Sequence, residues 1–507
     1  MYSLQELIKD LECRKQKVRS LGATDALRSA RMRIDQLVDE GSFVEFGMLN
    51  HSDRMEMKER TPCDGLIAGV ARVQGRPVVV MAPDRSVLAG TEGTVYIRKG
   101  EALHEFAVKR GLPIFHLGEG GGLRMPDGMG SDGISEHMMP LFLLRHSRRV
   151  PLLSSIMGDS FGGPTWYAMQ SDFVVQVEGT CMAVAGPRML SMATGEQVSP
   201  EELGGVQVHE RLTGQVHRVA HDEAQAIEML RRIFSYLPSH ADEIPPRIQS
   251  TDPIDRNVDE LLTLVPTRKT RAYDMRRVIE TIVDVNSFFE LKVNFGEALL
   301  TGLARVDGRV IGIVASQPFV RAGAYGPEEC DKATEFICFC DSYHIPLLFL
   351  HDVPGFRVGK QAEAEKMATK IMVWNQALAW STVPKVSVII RKSIGAAYSN
   401  MGGPKMGSDF VVAWPTAEIS FTGSEAGVNV VYGRQLACAE DPRSERERLM
   451  AQWEFDSSPY QAAAKHLIDD VIDPRDTRKF LCQVFELACH KDGGKGQRIL
   501  ANWPTGF

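Results

Sequence analysis

The sequence predicts an α/β protein made of two tandem copies of one fold. Short segments recur in order along the chain. Ser171-Asp172-Phe173-Val174-Val175 returns intact as Ser408-Asp409-Phe410-Val411-Val412, and Ala71-Arg72-Val73-Gln74-Gly75-Arg76 returns as Ala304-Arg305-Val306-Asp307-Gly308-Arg309. Leu112-Pro113-Ile114-Phe115 is matched by Ile345-Pro346-Leu347-Leu348, Val150-Pro151 by Val383-Pro384, and Gly41-Ser42-Phe43-Val44-Glu45 has an echo in Asn286-Ser287-Phe288-Phe289-Glu290. The offset drifts only between 233 (Ala71 to Ala304) and 245 (Ser42 to Ser287). A repeat of that length is too long for a solenoid unit and is the size of a whole domain. Strand-like and helical runs alternate in both copies, which calls for crossover units and mostly parallel pairing.

Taken in order, residues 1–60 read as helical, with an apolar period through Leu27, Ile34 and Leu37. Residues 3–21 mix Glu6, Asp10 and Glu12 with basic residues and read as an amphipathic helix, not a targeting peptide. Strand-like runs follow at 66–73, 77–82, 113–117 and 151–157, separated by helical stretches at 101–109 and around 138–146. The second copy repeats this with strands at 303–306, 310–315, 346–351 and 385–390 and helices at 331–340 and 361–379. A helix at 224–237 closes the first copy, and the three prolines of 245–253 mark a linker. The expected domains are residues 1–250 and 251–507.

The bulk numbers exclude several classes. Hydrophobic content of 44% and charged content of 24% are those of a globular protein. A net charge of −7 gives no basic surface for nucleic acid. No apolar run approaches the ~18 residues of a membrane span. The nine cysteines are scattered without a Cys-x-x-Cys pair, and Cys338 and Cys340 fit an apolar helix better than a metal site. That usage suits a reducing, cytoplasmic compartment, or the mitochondrial matrix if a presequence has been removed.

Candidate chemistry lies where small-residue turns follow strands. The first copy has Gly118-Glu119-Gly120-Gly121-Gly122-Leu123-Arg124 and Gly158-Asp159-Ser160-Phe161-Gly162-Gly163. The second has His351-Asp352-Val353-Pro354-Gly355-Phe356-Arg357 and Arg391-Lys392-Ser393-Ile394-Gly395-Ala396. Small residues admit a ligand close to the backbone, and N–H groups at a helix start bind oxyanions. The competing reading is tight turns and close packing. Leu123 stands where a dinucleotide fingerprint needs its third glycine, and no Gly-Lys-Ser/Thr ending forms a Walker loop. Gly158-Asp159-Ser160-Phe161-Gly162 matches a nucleophile elbow, so a serine hydrolase using Ser160 competes. The second copy keeps Ser393 but has Arg391 in place of the first glycine, and no acid–histidine pair can be assigned. His104, His116, His137 and His146 lack metal-ligand spacing, Asp352 fits a helix cap, and 443–448 fits a solvated face.

Asp352-Val353-Pro354-Gly355-Phe356, Val383-Pro384-Lys385-Val386, Arg391-Lys392-Ser393-Ile394-Gly395-Ala396-Ala397-Tyr398 and Ala413-Trp414-Pro415-Thr416-Ala417-Glu418-Ile419 closely resemble the carboxyltransferase (β) subunits of biotin-dependent acyl-CoA carboxylases, as does Arg33-Ile34-Asp35-Gln36-Leu37-Val38-Asp39-Glu40-Gly41-Ser42-Phe43. Propionyl-CoA carboxylase is the nearest type, with the related decarboxylases and transcarboxylase alongside. The resemblance implies two crotonase-like domains, each a ββα superhelix, the first on the acyl-CoA side and the second on the biotin side. It implies a homo-hexamer, a trimer of dimers, with active sites between the first domain of one chain and the second of another. It also implies transfer of a carboxyl group from carboxybiotin to the α-carbon of an acyl-CoA thioester through an enolate. Two oxyanions then need N–H donors. By motif, Gly162 and Gly163 hold the thioester oxygen and Ala396 and Ala397 the biotin oxygen. Gly121, Gly122 and Arg124 line the coenzyme A side, while Gly395, Tyr398 and Ser399 complete the substrate-binding set; no metal is implied.

No biotin-attachment motif and no ATP-binding loop occur in the sequence. Carboxybiotin is therefore expected on a separate carrier chain, with biotin carboxylase as the further partner. The sequence departs from the family at Ala364-Glu365-Lys366-Met367-Ala368, at Ser399 where Asp is common, at Asp159-Ser160-Phe161, and at 125–133 and 400–407. These departures put the acyl group in question. Decarboxylase or transcarboxylase action remains the alternative within the class, and a non-catalytic subunit a third reading.

Overall fold

A computed structural model describes residues 3–21, 29–137, 144–145 and 148–503. The chain divides into two compact units between Glu243 and Ile244. Unit 1 carries β1 (Val44–Phe46), β2 (Leu66–Val73), β3 (Arg76–Pro83), β4 (Ile114–Gly120), β5 (Leu152–Phe161), β6 (Phe173–Val177), β7 (Met182–Ala183) and β8 (Arg218–Ala220). Unit 2 carries β9 (Phe289–Leu291), β10 (Leu299–Val306), β11 (Arg309–Ser316), β12 (Leu347–Val353), β13 (Lys385–Ile394), β14 (Phe410–Ala413), β15 (Glu418–Ser420) and β16 (Asp470–Val471). The sheet orders are β1-β2-β3-β4-β5-β6-β8 and β9-β10-β11-β12-β13-β14-β16, with β7 and β15 pairing the far ends of β5 and β13. The first three strands of each sheet are antiparallel and the rest parallel. The duplication is thus one topology used twice.

The repeated motifs are the residues that hold this topology. The β2–β3 hairpin turns on Gln74 (φ 52°) and Gly75 (φ 77°), and β10–β11 on Asp307 (φ 48°) and Gly308 (φ 72°). Two positive φ values in a two-residue loop match the twist of the strands. Asp39 accepts from the Gln74 and Gly75 N–H groups at 3.0 and 2.7 Å. Asp284 does the same for Asp307 and Gly308 at 3.1 and 2.7 Å. In the Ser-Asp-Phe-Val-Val copies, Asp172 accepts from Leu152 N–H at 2.9 Å and Asp409 from Lys385 N–H at 2.8 Å. The adjoining serines meet Ser154 and Ser387 at 2.6 and 3.1 Å. Each motif registers a parallel strand against its neighbour.

β4 and β12 are buried along their whole length, as parallel strands covered on both faces must be. The helix Pro327–Ser342 is almost wholly buried, Cys338 and Cys340 included. Its Lys332 is buried too, and the ammonium donates to the carbonyls of Lys292, Phe295 and Leu299 at 2.7–2.8 Å, fastening that loop. No described helix is long and apolar enough to cross a membrane.

The structure corrects several expectations. Residues 1–60 are not helical throughout: Leu4–Leu21 and Ala30–Leu37 are helices, but β1 follows, because β2 needs an antiparallel edge partner. The helix at 361–379 is two helices, Lys360–Ala364 and Met367–Trp380, broken where Lys366 takes φ 63°. The expected helix around 138–146, along with Leu27 and His146, lies outside the described residues apart from 144–145. Residues 244–253 carry neither helix nor strand.

Candidate functional site

β4, β5, β12 and β13 run further than the sequence indicates. Gly118 and Gly120 lie inside β4 and Gly158–Phe161 inside β5, so the true turns are shorter: Gly121–Arg124 and Gly162–Gly163, matched by Pro354–Arg357 and Gly395–Ala396. This removes the nucleophile elbow. Ser160 is a buried strand residue whose hydroxyl, among the described residues, meets only the Gly158 carbonyl, at 3.5 Å. Gly158 is small because Glu119 lies over it; a Cβ there would come within 2.4 Å of the Glu119 carboxyl carbon. Ser393 does meet His351 Nδ1 at 2.9 Å, but both are fully buried, and burial drives that imidazole down to about 3.

Glu119 and its counterpart Asp352 anchor the two sites differently. In unit 2 the Arg391 guanidinium bonds Asp352 at 2.8 Å with both side chains essentially unexposed. Asp352 is therefore an ion-pair partner and not the helix cap expected. In unit 1 Gly158 takes the place of that arginine, and Arg33 reaches Glu119 from a preceding helix at 2.7 Å while also holding Glu223 at 2.7 Å.

The two site turns share one backbone design. Gly162 has φ 64° and its N–H donates to Ala183 O at 3.2 Å; Gly395 has φ 67° and its N–H donates to Ser420 O at 2.9 Å. Each glycine turns the chain from a strand end into a short helix, Gly163–Met169 or Ala396–Asn400. In unit 2 the N–H groups of Ala396 and Ala397 have no acceptor among the described residues, whereas Tyr398 N–H bonds back to Gly395 O at 3.1 Å. In unit 1 the Gly163 and Thr165 N–H groups have none among the described residues, and Pro164 between them has no N–H.

The Gly121–Arg124 loop adjoins the first turn. A Cβ on Gly122 (φ 82°) would stand 2.8 Å from Phe161 O, and one on Gly162 would stand 4.0 Å from Gly122 Cα. Gly121, Gly122, Gly162 and Gly163 are thereby brought together. Arg124 is not free to meet a ligand: its buried guanidinium bonds Asp64 at 2.6 Å and Thr91 O at 3.1 Å. It fastens the loop, which corrects the expectation of direct contact. Gly395, Ala396, Ala397, Tyr398 and Ser399 sit together on the second turn. Tyr398 packs against an apolar cluster with Ile389 and Ala417, and burial pushes its phenol up to about 12. The unusual segment 400–407 folds back on this turn through Gly402 N–H to Ser399 O and Gly403 N–H to Tyr398 O. A cavity of about 780 Å³ lies beside it, lined by Pro354, Arg391, Lys392, Ile394 and Gly423.

Sequence reasoning missed Glu92 and Pro164, and weighed His116 only as a metal ligand against a core or solvated histidine. A cavity of about 120 Å³ in unit 1 is lined by Glu92, Tyr96, His104, His116, Tyr167 and Gly163, among others. Three of the four clustered histidines, His104, His116 and His137, thus line one cavity. Among the described residues no His, Cys, Asp and Glu group is placed to hold a metal. The signal for Glu92 lay in the repeat, where Gly90-Thr91-Glu92-Gly93 aligns with Gly323-Ala324-Tyr325-Gly326.

Comparison with known proteins gives the family of the chain. The carboxyl transferase domain family matches residues 27–498. A propionyl-CoA carboxylase carboxyltransferase subunit of Haloferax mediterranei is 36% identical over 499 residues, covering 94% of this chain and 95% of the relative. The methylmalonyl-CoA carboxyltransferase 12S subunit of Propionibacterium freudenreichii subsp. shermanii is 34% identical over 482 residues, covering 94% and 91%. Among solved structures, transcarboxylase 12S with methylmalonyl-coenzyme A and methylmalonic acid bound superposes with a TM-score of 0.91 at 32% identity, covering 97% of this chain and 96% of that one.

Proposed function

The chain belongs to the carboxyl transferase family, and on that premise we propose that it moves a carboxyl group from carboxybiotin, borne on a separate carrier chain, to the α-carbon of an acyl-CoA. Carboxyl transfer between biotin and an acyl-CoA is the activity; the direction and the site residues are the proposal. The observation that carries it is the matched pair of turns, each ending in unclaimed backbone N–H groups at equivalent places of a duplicated fold.

Carboxybiotin supplies the carboxyl group and, after releasing CO₂, the base for the α-proton. The chain's part is to bind, orient and stabilise charge. Gly163 N–H faces the thioester oxygen as negative charge develops there. Ala396 and Ala397 N–H groups face the ureido oxygen. Fixed donors of this kind need no reorganisation as charge forms, and each is worth about 10²–10³ in rate. Gly162 and Gly395 shape the turns instead of donating, since their N–H groups are already bonded. Gly121 and Gly122 keep the coenzyme A side open to close backbone approach, with Arg124 holding that loop from behind.

The partners proposed are a biotin carboxyl carrier and a biotin carboxylase, with the chain itself as a homo-hexamer, a trimer of dimers. A 12S transcarboxylase relative is described as a hexamer, and here Phe421, Val430 and Val431 expose large apolar side chains of the kind an assembly covers. All nine cysteines are free thiols, which supports a cytoplasmic setting.

The test is a reconstituted reaction with biotinylated carrier, biotin carboxylase, ATP, bicarbonate and a panel of acyl-CoAs, read by mass spectrometry. A carboxylated acyl-CoA supports the reading and ranks substrates. Absence of product with partners of proven activity, combined with CO₂ release from a carboxylated acyl-CoA, moves the chain to the decarboxylase direction.

A further inference from the structure

The first turn lacks the second of the two adjacent donors that unit 2 presents. Pro164 occupies the place of Ala397, so the N–H next to Gly163 is missing, and the next free N–H along the chain is that of Thr165. Glu92 sits against that turn. A Cβ on Gly163 would lie 2.2 Å from Glu92 Oε2, so the carboxyl fills the space that a side chain would take. The backbone fixes Glu92 there: its N–H donates to Gly122 O at 2.9 Å, and its carbonyl accepts from Arg124 N–H at 2.8 Å. Its counterpart Tyr325 makes the same bridge to the neighbouring loop, but its hydroxyl is buried against Ser316 at 2.6 Å. The unit 1 arrangement is therefore specific to this half.

The Glu92 carboxyl makes no hydrogen bond or ion pair among the described residues, and it opens on the 120 Å³ cavity. Facing it are Tyr96, Glu101 and His104 from helix Thr94–Arg110, His116 from β4, His137 after helix Gly130–Glu136, and Tyr167 from helix Gly163–Met169. Among the described residues no lysine or arginine lines the cavity. An ionised carboxylate beside a forming oxyanion would oppose it, while a neutral carboxyl would donate to it. We propose that Glu92, as a neutral carboxylic acid, is the second hydrogen-bond donor to the thioester oxyanion, completing the site that Pro164 leaves short. The proton stays on Glu92, and no bond is made or broken by this contact. Burial without a countercharge supports this, pushing the carboxyl up to about 7, and burial also keeps His116 neutral, down at about 4. The inference rests on the reading that the unit 1 turn binds the acyl thioester.

The experiment measures kcat and KM against pH for the wild type, Glu92→Gln and Glu92→Leu in the reconstituted reaction. A companion infrared difference spectrum between pH 6 and pH 8 looks for a protonated-carboxyl band that Glu92→Gln lacks. The expected result is a wild-type kcat that falls as pH rises through about 7. Glu92→Gln, which keeps an N–H donor, should stay within about tenfold and lose that limb. Glu92→Leu should lose about 10²–10³ in kcat with KM little changed. A folded Glu92→Leu with wild-type kcat and pH profile overturns the proposal. So does an inactive Glu92→Gln beside a wild-type rate that rises through pH 7, which would make Glu92 a base. A missing infrared band at pH 6 overturns it whatever the activity. Wild-type protein that moves no carboxyl group in either direction removes the underlying reading instead, and the infrared result still decides the state of Glu92.

Discussion

Set side by side, the two turns have nearly the same backbone and different side chains. Gly162 and Gly395 share φ, an N–H bonded to the neighbouring strand and their place in the sheet, although Gly395 O accepts from Tyr398 N–H and Gly162 O from Trp166 N–H, one residue further on. Around them, Ala397 is answered by Pro164, Tyr325 by Glu92, and Arg391 by Gly158. The duplicated fold has kept what shapes a donor turn and changed what the turn faces. That fits the proposal that one backbone device holds two different oxyanions.

The largest expected effect is on the ion pairs behind the turns. Asp352→Ala takes the carboxylate from the buried Arg391 guanidinium and leaves it only the carbonyls of Pro266, Arg268 and Arg271, and breaking a buried pair from one side costs about 3–5 kcal/mol. Glu119→Ala should cost less, because Arg33 keeps Glu223 at 2.7 Å. Denaturant midpoints of the two variants check this; equal losses would mean that the second carboxylate does not compensate. Next comes Ala396→Pro, which takes a donor from the unit 2 turn. Proline is tolerated at a first helical position, and Ala396 is exposed. Loss of about 10²–10³ in kcat with the fold intact is expected; undiminished transfer would refute the donor role.

The legible part of the molecule was the part held by local chemistry. Asp39 and Asp284 at the hairpins, and Asp172 and Asp409 at the strand starts, bond backbone N–H groups whose positions the topology repeats, so the same residues recur and the duplication can be read. The glycines at the site turns are readable for a similar reason, since a positive φ admits few other residues. What escaped reading depends on residues far apart in sequence. Arg124 looks like a ligand-facing arginine until Asp64, sixty residues earlier, claims its guanidinium. Glu92 is an ordinary turn acid until β4 and helix Gly163–Met169 wall it in with His116 and Tyr167. Gly158 imitates an elbow, and only the reach of Glu119 explains it. The break at Lys366 has no glycine or proline to announce it.

Glu92 also sharpens the comparison through stability. Its carboxyl is raised from 4.5 to about 7, so the native state binds a proton that the unfolded state has lost. Native stability must then fall as pH rises from about 4.5 to about 7 and level off above that. Glu92→Gln removes this slope and should gain roughly 3 kcal/mol over wild type near pH 8. Tyr325 titrates far above this range, being raised by burial, so Tyr325→Phe should leave the slope unchanged. Urea melts across pH 5–8 separate the two, and a wild-type curve without the slope would place Glu92 in an ordinary ionised state.

The smallest effect tests whether the shared backbone is itself under equal constraint. At the φ and ψ of these glycines, outside the left-handed helical well, alanine costs about 1–3 kcal/mol. At Gly162 a new Cβ meets nothing nearer than 3.8 Å, so Gly162→Ala should cost that strain alone. At Gly395 the Cβ would stand 3.3 Å from Phe421 O, a tighter contact with a backbone atom. Gly395→Ala should therefore be the more destabilising by a few tenths of a kcal/mol, and it should depress transfer more, because Ala396 N–H moves with the turn. The reverse order would mean that the unit 1 site is the stiffer of the two.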